Sequence, residues 1–436
     1  MTSRLPAIVL RGVRTCALRG LRPLSSVPVP PVPASEKAPP GFAATEALRS
    51  RARVLRLAGG AALAAGGLFY LWSTEREAAV VADMCGVFEA GGVAGWDAGF
   101  TNDARASVER PDVEVDLESI LRPSVVDKYK VIVGPCGTGK STSVRKVIRA
   151  LIAKGAGAGG AGIVYFTTTE LITDFSRNLG KSVRFREPID FWDSFRRLFA
   201  RETKGKAWAP PQMYEPRATW SPLADLLKEA ATMYKVKHGK APTLVLDAMD
   251  LVAKEDAKFF SQLQDFAKAC ADGGIMRVVF IFCDGDALPL LLSSSAVSRC
   301  DQVYEVGDVS DADAIKFVVS RYGKDKLRAK ELVETITGGR FTLMQDYGKS
   351  IKPLDAIRDV LDNETGVGML HANVSPTHPL FKALVSKPVE TKLAHEILPE
   401  AQVAELLRLN ILAVHQDGTY TFNNHHVEAY VKKELA

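Results

Sequence analysis

The stretch KYKVIVGPCGTGKSTSVRKVI, residues 128–148, decides the fold of this chain. Its apolar start predicts a short buried strand over 129–134, and its end carries apolar residues at helical spacing. Between them, GPCGTGKS matches the pattern GxxxxGK[ST] in the required place, after a strand and before a helix. Glycines let such a loop turn tightly, so that successive backbone N–H groups and the positive end of the helix face an anion. The stretch therefore predicts a phosphate-binding loop.

This loop contains the groups that a nucleoside triphosphate and its metal ion require. We expect Lys140 to bridge the β- and γ-phosphates and the Ser141 hydroxyl to bind Mg²⁺. The alternative is a glycine-rich turn that binds nothing. We predict ATP and Mg²⁺ as the cofactors, with ATP contacted by nine consecutive residues: Gly134, Pro135, Cys136, Gly137, Thr138, Gly139, Lys140, Ser141 and Thr142.

The rest of the chain after about residue 127 alternates short apolar runs with helical patterns. This alternation is typical of a parallel sheet covered by helices, so the predicted fold class is α/β. Besides 129–134, we predict strands over 162–167, 242–247, 277–283 and 302–305.

A second acidic group is needed to hold the metal, and TLVLDAMD supplies Asp247 after four apolar residues. We expect Asp247 to end a strand beside the phosphate-loop strand. ATPases often place Glu immediately after this Asp to polarise the attacking water, but here the position is Ala248. Asp250 is the nearest replacement base, and the alternative is a solvated turn residue. Without a base that reaches the water, the protein would act as a nucleotide-dependent switch.

These motifs occur together with RVVFIFCDGDALP (277–289), SAVSRC (295–300) and ITGGRF (336–341) in the order found in AAA+ P-loop ATPases. Over residues 115–436 the chain resembles the archaeal-type and STAND ATPases of that group. The resemblance implies an ASCE/AAA+-like sheet, a helical lid and a carboxyl-terminal winged helix. Where the family has a neutral polar group after the fourth strand, this chain has Cys283 and Asp284.

Three site residues follow from the resemblance. A small residue after the metal-binding Asp and an acid three residues on resemble the NACHT branch, which implies Asp250 as the catalytic acid. The SRC sequence resembles that of clamp loaders and implies Arg299 as an arginine finger that acts on a neighbouring subunit, hence a homo-oligomer; the alternative is a surface ion pair. Arg340 is implied as the lid arginine that contacts the nucleotide.

The amino-terminal residues 1–56 contain nine arginines and one lysine against two glutamates, a surplus of eight positive charges. Since the whole chain has a net charge of +5, about −3 is left for the remainder, which is not the composition of a basic nucleic-acid binder. The first 35 residues lack acidic residues and end in PLSSVPVPPVPAS, as organelle transit peptides do. We predict import into mitochondria, with a plastid as the alternative.

Residues 57–74, LAGGAALAAGGLFYLWST, contain no charge. As a helix they would extend about 27 Å, close to the thickness of a hydrocarbon core. We predict one membrane span, in the mitochondrial inner membrane or a plastid membrane; a Gly/Ala-rich core helix is the alternative. The predicted organisation is a transit peptide over 1–35, a Pro-rich and basic linker over 36–56, the transmembrane helix over 57–74, a connector over 75–126, the P-loop ATPase core over 127–308, a helical lid over 309–376 and a winged-helix-like domain over 377–436.

The carboxyl-terminal segment predicts helices over 378–386, 391–398 and 401–409, then two strands about an Asp417-Gly418 turn and a last helix. This order predicts a winged helix. Its six Lys/Arg against seven Asp/Glu do not favour binding to a phosphate backbone, so we expect a protein partner and no nucleic acid. Six cysteines without CxxC spacing argue against a disulfide framework or a zinc module and favour a reducing compartment.

Together these features predict a membrane-anchored mitochondrial ATPase that uses ATP to remodel or assemble a protein partner. Two alternatives remain open at this point: a nucleotide-gated scaffold that does not hydrolyse ATP, and a DNA-associated loader-type ATPase.

Overall fold

The computed structural model of the protein describes residues 67, 73–91, 108–122, 124–154, 162–168, 174–185, 216–283, 291, 295–350, 352–354, 356–357, 374–409, 411–415, 417–423 and 425–435. Residues 68–436 form one compact unit, and Gly67 belongs to a separate unit of residues 1–67. The predicted transit peptide, most of the predicted membrane span and Asp284 lie outside the described residues.

A parallel five-stranded sheet forms the centre of the large unit. Each strand lies inside the range predicted from the sequence, which confirms all five predictions. The strands are β1 Lys130–Val133, β2 Ile163–Thr167, β3 Thr243–Asp247, β4 Arg277–Ile281 and β5 Tyr304–Glu305. Their spatial order is β2-β3-β4-β1-β5.

One expectation about this sheet is wrong, because β3 does not lie beside β1. Strand β4 pairs with both of them and separates them. Parallel strands are joined by helical crossovers, and a crossover can skip a position in the sheet, so sequence order does not fix spatial order. Since the carboxyl ends of parallel strands meet at one edge, Asp247 still reaches the edge that carries the phosphate loop.

Helices cover both faces of the sheet, as a parallel sheet requires. The side chains of β1 alternate between two apolar clusters: Ile132 packs with α2 and α3, whereas Val131 and Val133 pack with the helices of the other face. The helices of these layers are α1 73–90, α2 Pro111–Leu121, α3 Lys140–Ala153, α4 Phe175–Ser182, α5 Pro216–His238, α6 Met249–Glu255 and α7 Ala257–Asp272.

The segment 75–126, predicted to be a connector, contains two helices of the core. Helix α1 buries Val80, Met84 and Phe88 at helical spacing against α5 and its neighbours, and Glu89 at its end pairs with Lys237. Helix α2 buries Leu117 and its neighbours against α3. The apolar stripe of α1 is short and is followed by a glycine-rich sequence. For this reason the sequence pattern did not predict a helix there.

The lid follows the sheet as three short helices around their own apolar cluster. The spacing of Ser310 and Asp313 in the sequence predicts a helix start at this point. The structure confirms it, because the Ser310 hydroxyl accepts a hydrogen bond from the Asp313 amide at 3.3 Å. The lid elements are α8 Asp311–Tyr322, α9 Lys326–Leu332, a π-helical turn Val333–Thr337 and α10 Phe341–Tyr347.

The carboxyl-terminal residues build a separate apolar cluster of helices and a three-stranded antiparallel sheet of order β6-β8-β7. The predicted hairpin is present, with Gly418 at a φ of 77° in the turn. The elements are α11 Pro379–Ser386, β6 Val389–Glu390, α12 Thr391–Ile397, α13 Glu400–Arg408, β7 Leu412–Val414, β8 Thr419–Phe422 and α14 His425–Leu435. The sequence pattern did not predict β6.

Within the described part of the chain, no helix combines the length and the apolar composition that crossing a membrane would need.

Candidate nucleotide-binding site

The phosphate loop connects the carboxyl end of β1 to α3. Gly139 has a φ of 90° at the position before α3, a left-handed conformation that a residue with a Cβ adopts only with strain. Gly137 has a φ of 84°, and a Cβ there would overlap the Thr342 side chain of the lid. The glycines therefore allow both the turn of the loop and the close approach of the lid.

Lys140 begins α3 and is almost fully buried. Its ammonium group donates hydrogen bonds to the carbonyl oxygens of Gly134 and Pro135, each at 2.7 Å. The lysine thus lies over the loop that its own helix follows. These carbonyl oxygens hold the charge in place, and phosphate oxygens are stronger acceptors for the same ammonium.

A cavity of about 270 Å³ lies against the loop. Most of its wall comes from three parts of the chain: the loop with the first turn of α3, the segment around Arg110, and the lid residues Phe341, Thr342 and Gln345. Cys283, which follows β4, also lines it.

The proposed metal ligands lie on two elements at this edge of the sheet. Ser141 lies in the first turn of α3 and lines the cavity, and Asp247 ends β3 with 3% of its surface exposed. Asp247 accepts hydrogen bonds from the Tyr165 hydroxyl and, at 2.8 Å, from the Ala248 amide, and it forms no ion pair within the residues described. A buried carboxylate of this kind fits a hard cation, because Mg²⁺ prefers oxygen ligands and takes few of them from the protein when phosphates supply others. Among the described residues, no group of three or more acidic, His or Cys side chains is arranged to hold a metal ion, so the protein alone offers no complete metal cage.

This combination of loop, helix, buried lysine and strand-end aspartate decides the fold. The core has the P-loop NTPase fold.

Asp250 lies near the P-loop because of the turn at Ala248. Ala248 adopts a φ of 58°, which reverses the chain so that α6 starts at once after β3. Asp250 is buried, and its carboxylate accepts a hydrogen bond from the Cys283 amide at 2.8 Å. Asp250 therefore joins the end of β3 to the end of β4.

The thiol of Cys283 reports the charges around it. Its pKa is raised well above the ordinary value, first by a hydrogen bond with the Cys136 thiol and by burial, and further by the carboxylates of Asp250 and Asp247, while Lys140 opposes the shift. Both carboxylates and the lysine thus lie within electrostatic reach of one point at the cavity wall. The sequence predicted the two acids and the lysine but gave no role to Cys283.

Arg340 lies at a junction of three segments. Its guanidinium binds the Asp308 carboxylate through two nitrogens, at 2.5 and 2.9 Å, and donates to the Cys136 carbonyl at 2.9 Å. A further bond of 2.6 Å reaches the Asn423 carbonyl after β8. Arg340 therefore links the P-loop to the carboxyl-terminal elements, and its contact with a nucleotide stays a prediction.

Arg299 lies on the opposite edge of the sheet. It ends the 3₁₀ helix Ser295–Arg299, and its carbonyl accepts a hydrogen bond from Tyr129, the residue before β1, at 2.9 Å. The P-loop begins after β1, about 13 Å further along the strand. The Arg299 side chain is 49% exposed and pairs with Asp272. Within one chain it cannot reach the P-loop cavity, so the arginine-finger role stays a prediction that concerns a neighbouring subunit.

Two residues of the site were missed from the sequence. Arg110 donates to the Thr138 carbonyl at 3.2 Å and to the Gly307 carbonyl at 3.1 Å, and so fixes the P-loop from the side of α2. Tyr165 in β2 donates to Asp247 and orients its carboxylate. A tyrosine inside a buried strand needs a partner for its hydroxyl, and this was the available signal; for Arg110 the sequence carries none.

Comparison with solved structures finds similar chains at low sequence identity. The chain is similar to the Walker-type ATPase PABY2304 of Pyrococcus abyssi, with 14% identity, a TM-score of 0.47, and coverage of 75% of this chain and 96% of that one. It is similar to the ORC2 protein of Aeropyrum pernix, with 11% identity, a TM-score of 0.41, and coverage of 78% and 96%. A STAND protein of Pyrococcus horikoshii with a tetratricopeptide repeat sensor matches at 12% identity and a TM-score of 0.32, over 75% of this chain and 42% of that one.

No protein-family model matches this P-loop protein, and no curated protein matches it.

Proposed function

We propose that this protein is a membrane-anchored mitochondrial ATPase of the AAA+/STAND type, which couples ATP binding and hydrolysis to remodelling or assembly of a protein partner. One observation carries the proposal: the P-loop and the lid enclose one cavity, and two buried carboxylates, Asp247 and Asp250, lie within electrostatic reach of Cys283 in its wall. Within one chain these groups would serve the phosphates, the metal ion and the attacking water.

Ser141 and Asp247 would hold Mg²⁺, which supplies positive charge to the phosphates when it is bound. Lys140 would exchange its bonds to Gly134 and Pro135 for phosphate oxygens. Tyr165 keeps the Asp247 carboxylate oriented. Asp250 would accept the proton of the attacking water, since the Cys283 amide holds its carboxylate at the end of β4, beside the nucleotide cavity.

The placement of Arg299 supports an assembly of several copies. An arginine on the exposed amino edge of the sheet can complete only a neighbour's site, and such an arginine stabilises the charge of the transferring phosphoryl group. The proposed protein is therefore a homo-oligomer in its active state.

The location rests on the amino-terminal sequence. The acid-free, arginine-rich first 35 residues support mitochondrial import, and the uncharged stretch 57–74 supports one membrane span. The plastid membrane is the alternative location.

The carboxyl-terminal elements support a winged helix as the partner-binding part, because a helix, a strand, two helices and a hairpin follow one another there. Six Lys/Arg and seven Asp/Glu between residues 377 and 436 favour a protein partner over a phosphate backbone. A DNA-associated loader is the alternative, and duplex DNA binding at near-physiological salt would support it.

A second function, a nucleotide-gated switch without hydrolysis, is favoured by Ala248. This residue stands where an acid would polarise water, and Asp250 is already bonded to Cys283. If that bond holds Asp250 away from the water, ATP would bind and remain intact.

Phosphate release by the full-length protein, measured over a range of protein concentration with and without Mg²⁺, tests the proposal. We expect Mg²⁺-dependent turnover that rises more than linearly with concentration, because the site is completed between copies. Tight ATP binding without phosphate release would support the switch instead. If the protein neither binds ATP nor releases phosphate, both functions are contradicted.

A further inference from the structure

Two cysteines from distant parts of the sequence meet at the P-loop cavity. Cys136 is the third residue of the loop and is exposed, whereas Cys283 follows β4 and is partly buried. Both line the cavity, and their thiols share a hydrogen bond. The thiol groups of these two residues have no part in the hydrolysis described above.

The backbone around both thiols is fixed. The Cys136 carbonyl accepts a hydrogen bond from Arg340 at 2.9 Å, and the Cys283 amide donates to Asp250 at 2.8 Å. The two sulfur atoms therefore face each other from elements that are held independently. Sulfur atoms that share a hydrogen bond are a pair that an oxidant can join as a disulfide.

We propose that Cys136 and Cys283 form a reversible oxidation site, in which a peroxide converts the two thiols to a disulfide that closes the nucleotide cavity. The inhibitory part of this proposal rests on the proposed ATPase function; the modification itself does not.

The chemistry balances with hydrogen peroxide as the oxidant. The exposed Cys136 sulfur attacks one peroxide oxygen, the O–O bond breaks, and Cys136 becomes a sulfenic acid while water leaves. The Cys283 sulfur then attacks the Cys136 sulfur, the S–S bond forms, the S–O bond breaks, and a second water leaves. A dithiol reverses the reaction by exchange and is itself oxidised.

The bridge would act at the place where the phosphates bind. It would tie the P-loop to the end of β4, beside the charges of Lys140, Asp247 and Asp250, all of which lie within electrostatic reach of Cys283. A sulfur pair between these groups would occupy part of the cavity and displace the loop from the geometry that turnover needs.

The test treats the reduced full-length protein with hydrogen peroxide and maps its disulfides by mass spectrometry. We expect one linked peptide pair that contains Cys136 and Cys283, and its disappearance with dithiothreitol. The variants Cys136→Ser and Cys283→Ser should each lack this pair. Cys85→Ser is the matched control, since Cys85 lies on α1, away from the cavity, and a hydroxyl can keep its bond to Glu89. It should form the pair as the wild type does.

Turnover is measured on the same samples. We expect oxidation to lower ATP turnover of the wild type and of Cys85→Ser by about 10²-fold, as misplacement of catalytic groups does. Each cavity variant should keep the turnover of its own reduced form. A wild type that hydrolyses ATP but forms no Cys136–Cys283 bridge, or a bridge that leaves turnover unchanged, would overturn the proposal. A bridge in a protein without any turnover would instead contradict the ATPase function and leave the oxidation site supported.

Discussion

Two of the walls of the nucleotide cavity, the P-loop wall and the lid wall, are built in different ways. The P-loop wall consists of consecutive residues, and its lysine bonds to carbonyl oxygens only five and six residues away. The lid wall depends on Arg340, which bonds to Asp308, to the P-loop at Cys136 and to Asn423, across sequence separations of 32, 204 and 83 residues.

The P-loop wall contains the groups that bind phosphate, whereas the lid wall connects the cavity to distant parts of the chain. The P-loop wall needs only its own strand, loop and helix to present the groups that bind phosphate. The lid wall is complete only when the P-loop, the segment before the lid and the carboxyl-terminal elements are all folded. Arg340 therefore joins the P-loop to the carboxyl-terminal elements by direct hydrogen bonds.

The largest effect should come from a substitution in the P-loop wall. Replacing Lys140 with alanine removes the only charge that the P-loop itself contains, and we expect ATP binding to be lost and turnover to fall by about 10³-fold. Lys154→Ala, at the exposed end beyond the same helix, is the matched control and should leave both unchanged. Equal ATP binding by the two variants would contradict this interpretation.

Arg299 tests whether one chain contains a complete site. Arg299→Ala should keep ATP binding but lose about 10³-fold in turnover, because an arginine finger acts on the transferring phosphoryl group. Mixing it with Lys140→Ala should restore part of the activity, since one copy then supplies the P-loop and the other the arginine. A mixture as inactive as its components would speak against a shared site.

Asp250 tests the catalytic base. Asp250→Asn keeps the size and the ability to accept from the Cys283 amide but cannot take a proton, so turnover should fall by about 10²-fold with ATP binding unchanged. Asp265→Asn, on the exposed side of α7, is the control. If Asp250→Asn hydrolyses ATP at the wild-type rate, another group acts as the base.

A substitution in the lid wall should affect the stability of the fold more than it affects ATP turnover. Arg340→Met leaves Asp308 without its partner, and we expect a loss of about 3 kcal/mol in the free energy of unfolding, as for other buried pairs. Denaturant titration measures it. Arg408→Met removes an exposed arginine paired within its own turn and should cost less than about 1 kcal/mol. Similar losses for the two variants would contradict the role of Arg340 as a junction.

The smallest effect concerns a second contact between the core and the carboxyl-terminal hairpin. The Glu305 carboxylate, 2.8 Å from His415, raises the pKa of that histidine above its ordinary 6.5. The ion pair therefore stabilises the protein fully below pH 6.5 and is lost as the pH rises through the raised pKa. We expect a contribution of about 0.5 kcal/mol, since both side chains are partly exposed. In unfolding measured against pH, Glu305→Gln should remove this dependence; an unchanged profile would exclude the pair as its source.

The same difference explains what the sequence could predict. The five strands of the parallel sheet, the P-loop and the Ser310 helix start depend on neighbouring residues, and these were predicted correctly. The spatial order of β3 and β4, the packing of α1, the contacts of Arg110 and the meeting of Cys136 with Cys283 depend on segments far apart in the chain. Local sequence patterns do not predict these contacts. The contacts depend on which face of the sheet each helix covers and on which strand each crossover skips.

The central claim is that the P-loop cavity binds ATP with Mg²⁺. Calorimetric titration of ATP into the full-length protein, with and without Mg²⁺, tests it most directly. We predict one saturable site that depends on Mg²⁺ in the wild type, weaker binding in Asp247→Asn because a metal ligand is lost, and no binding in Lys140→Ala. Absence of binding in the wild type, or binding that Lys140→Ala retains in full, would contradict the claim.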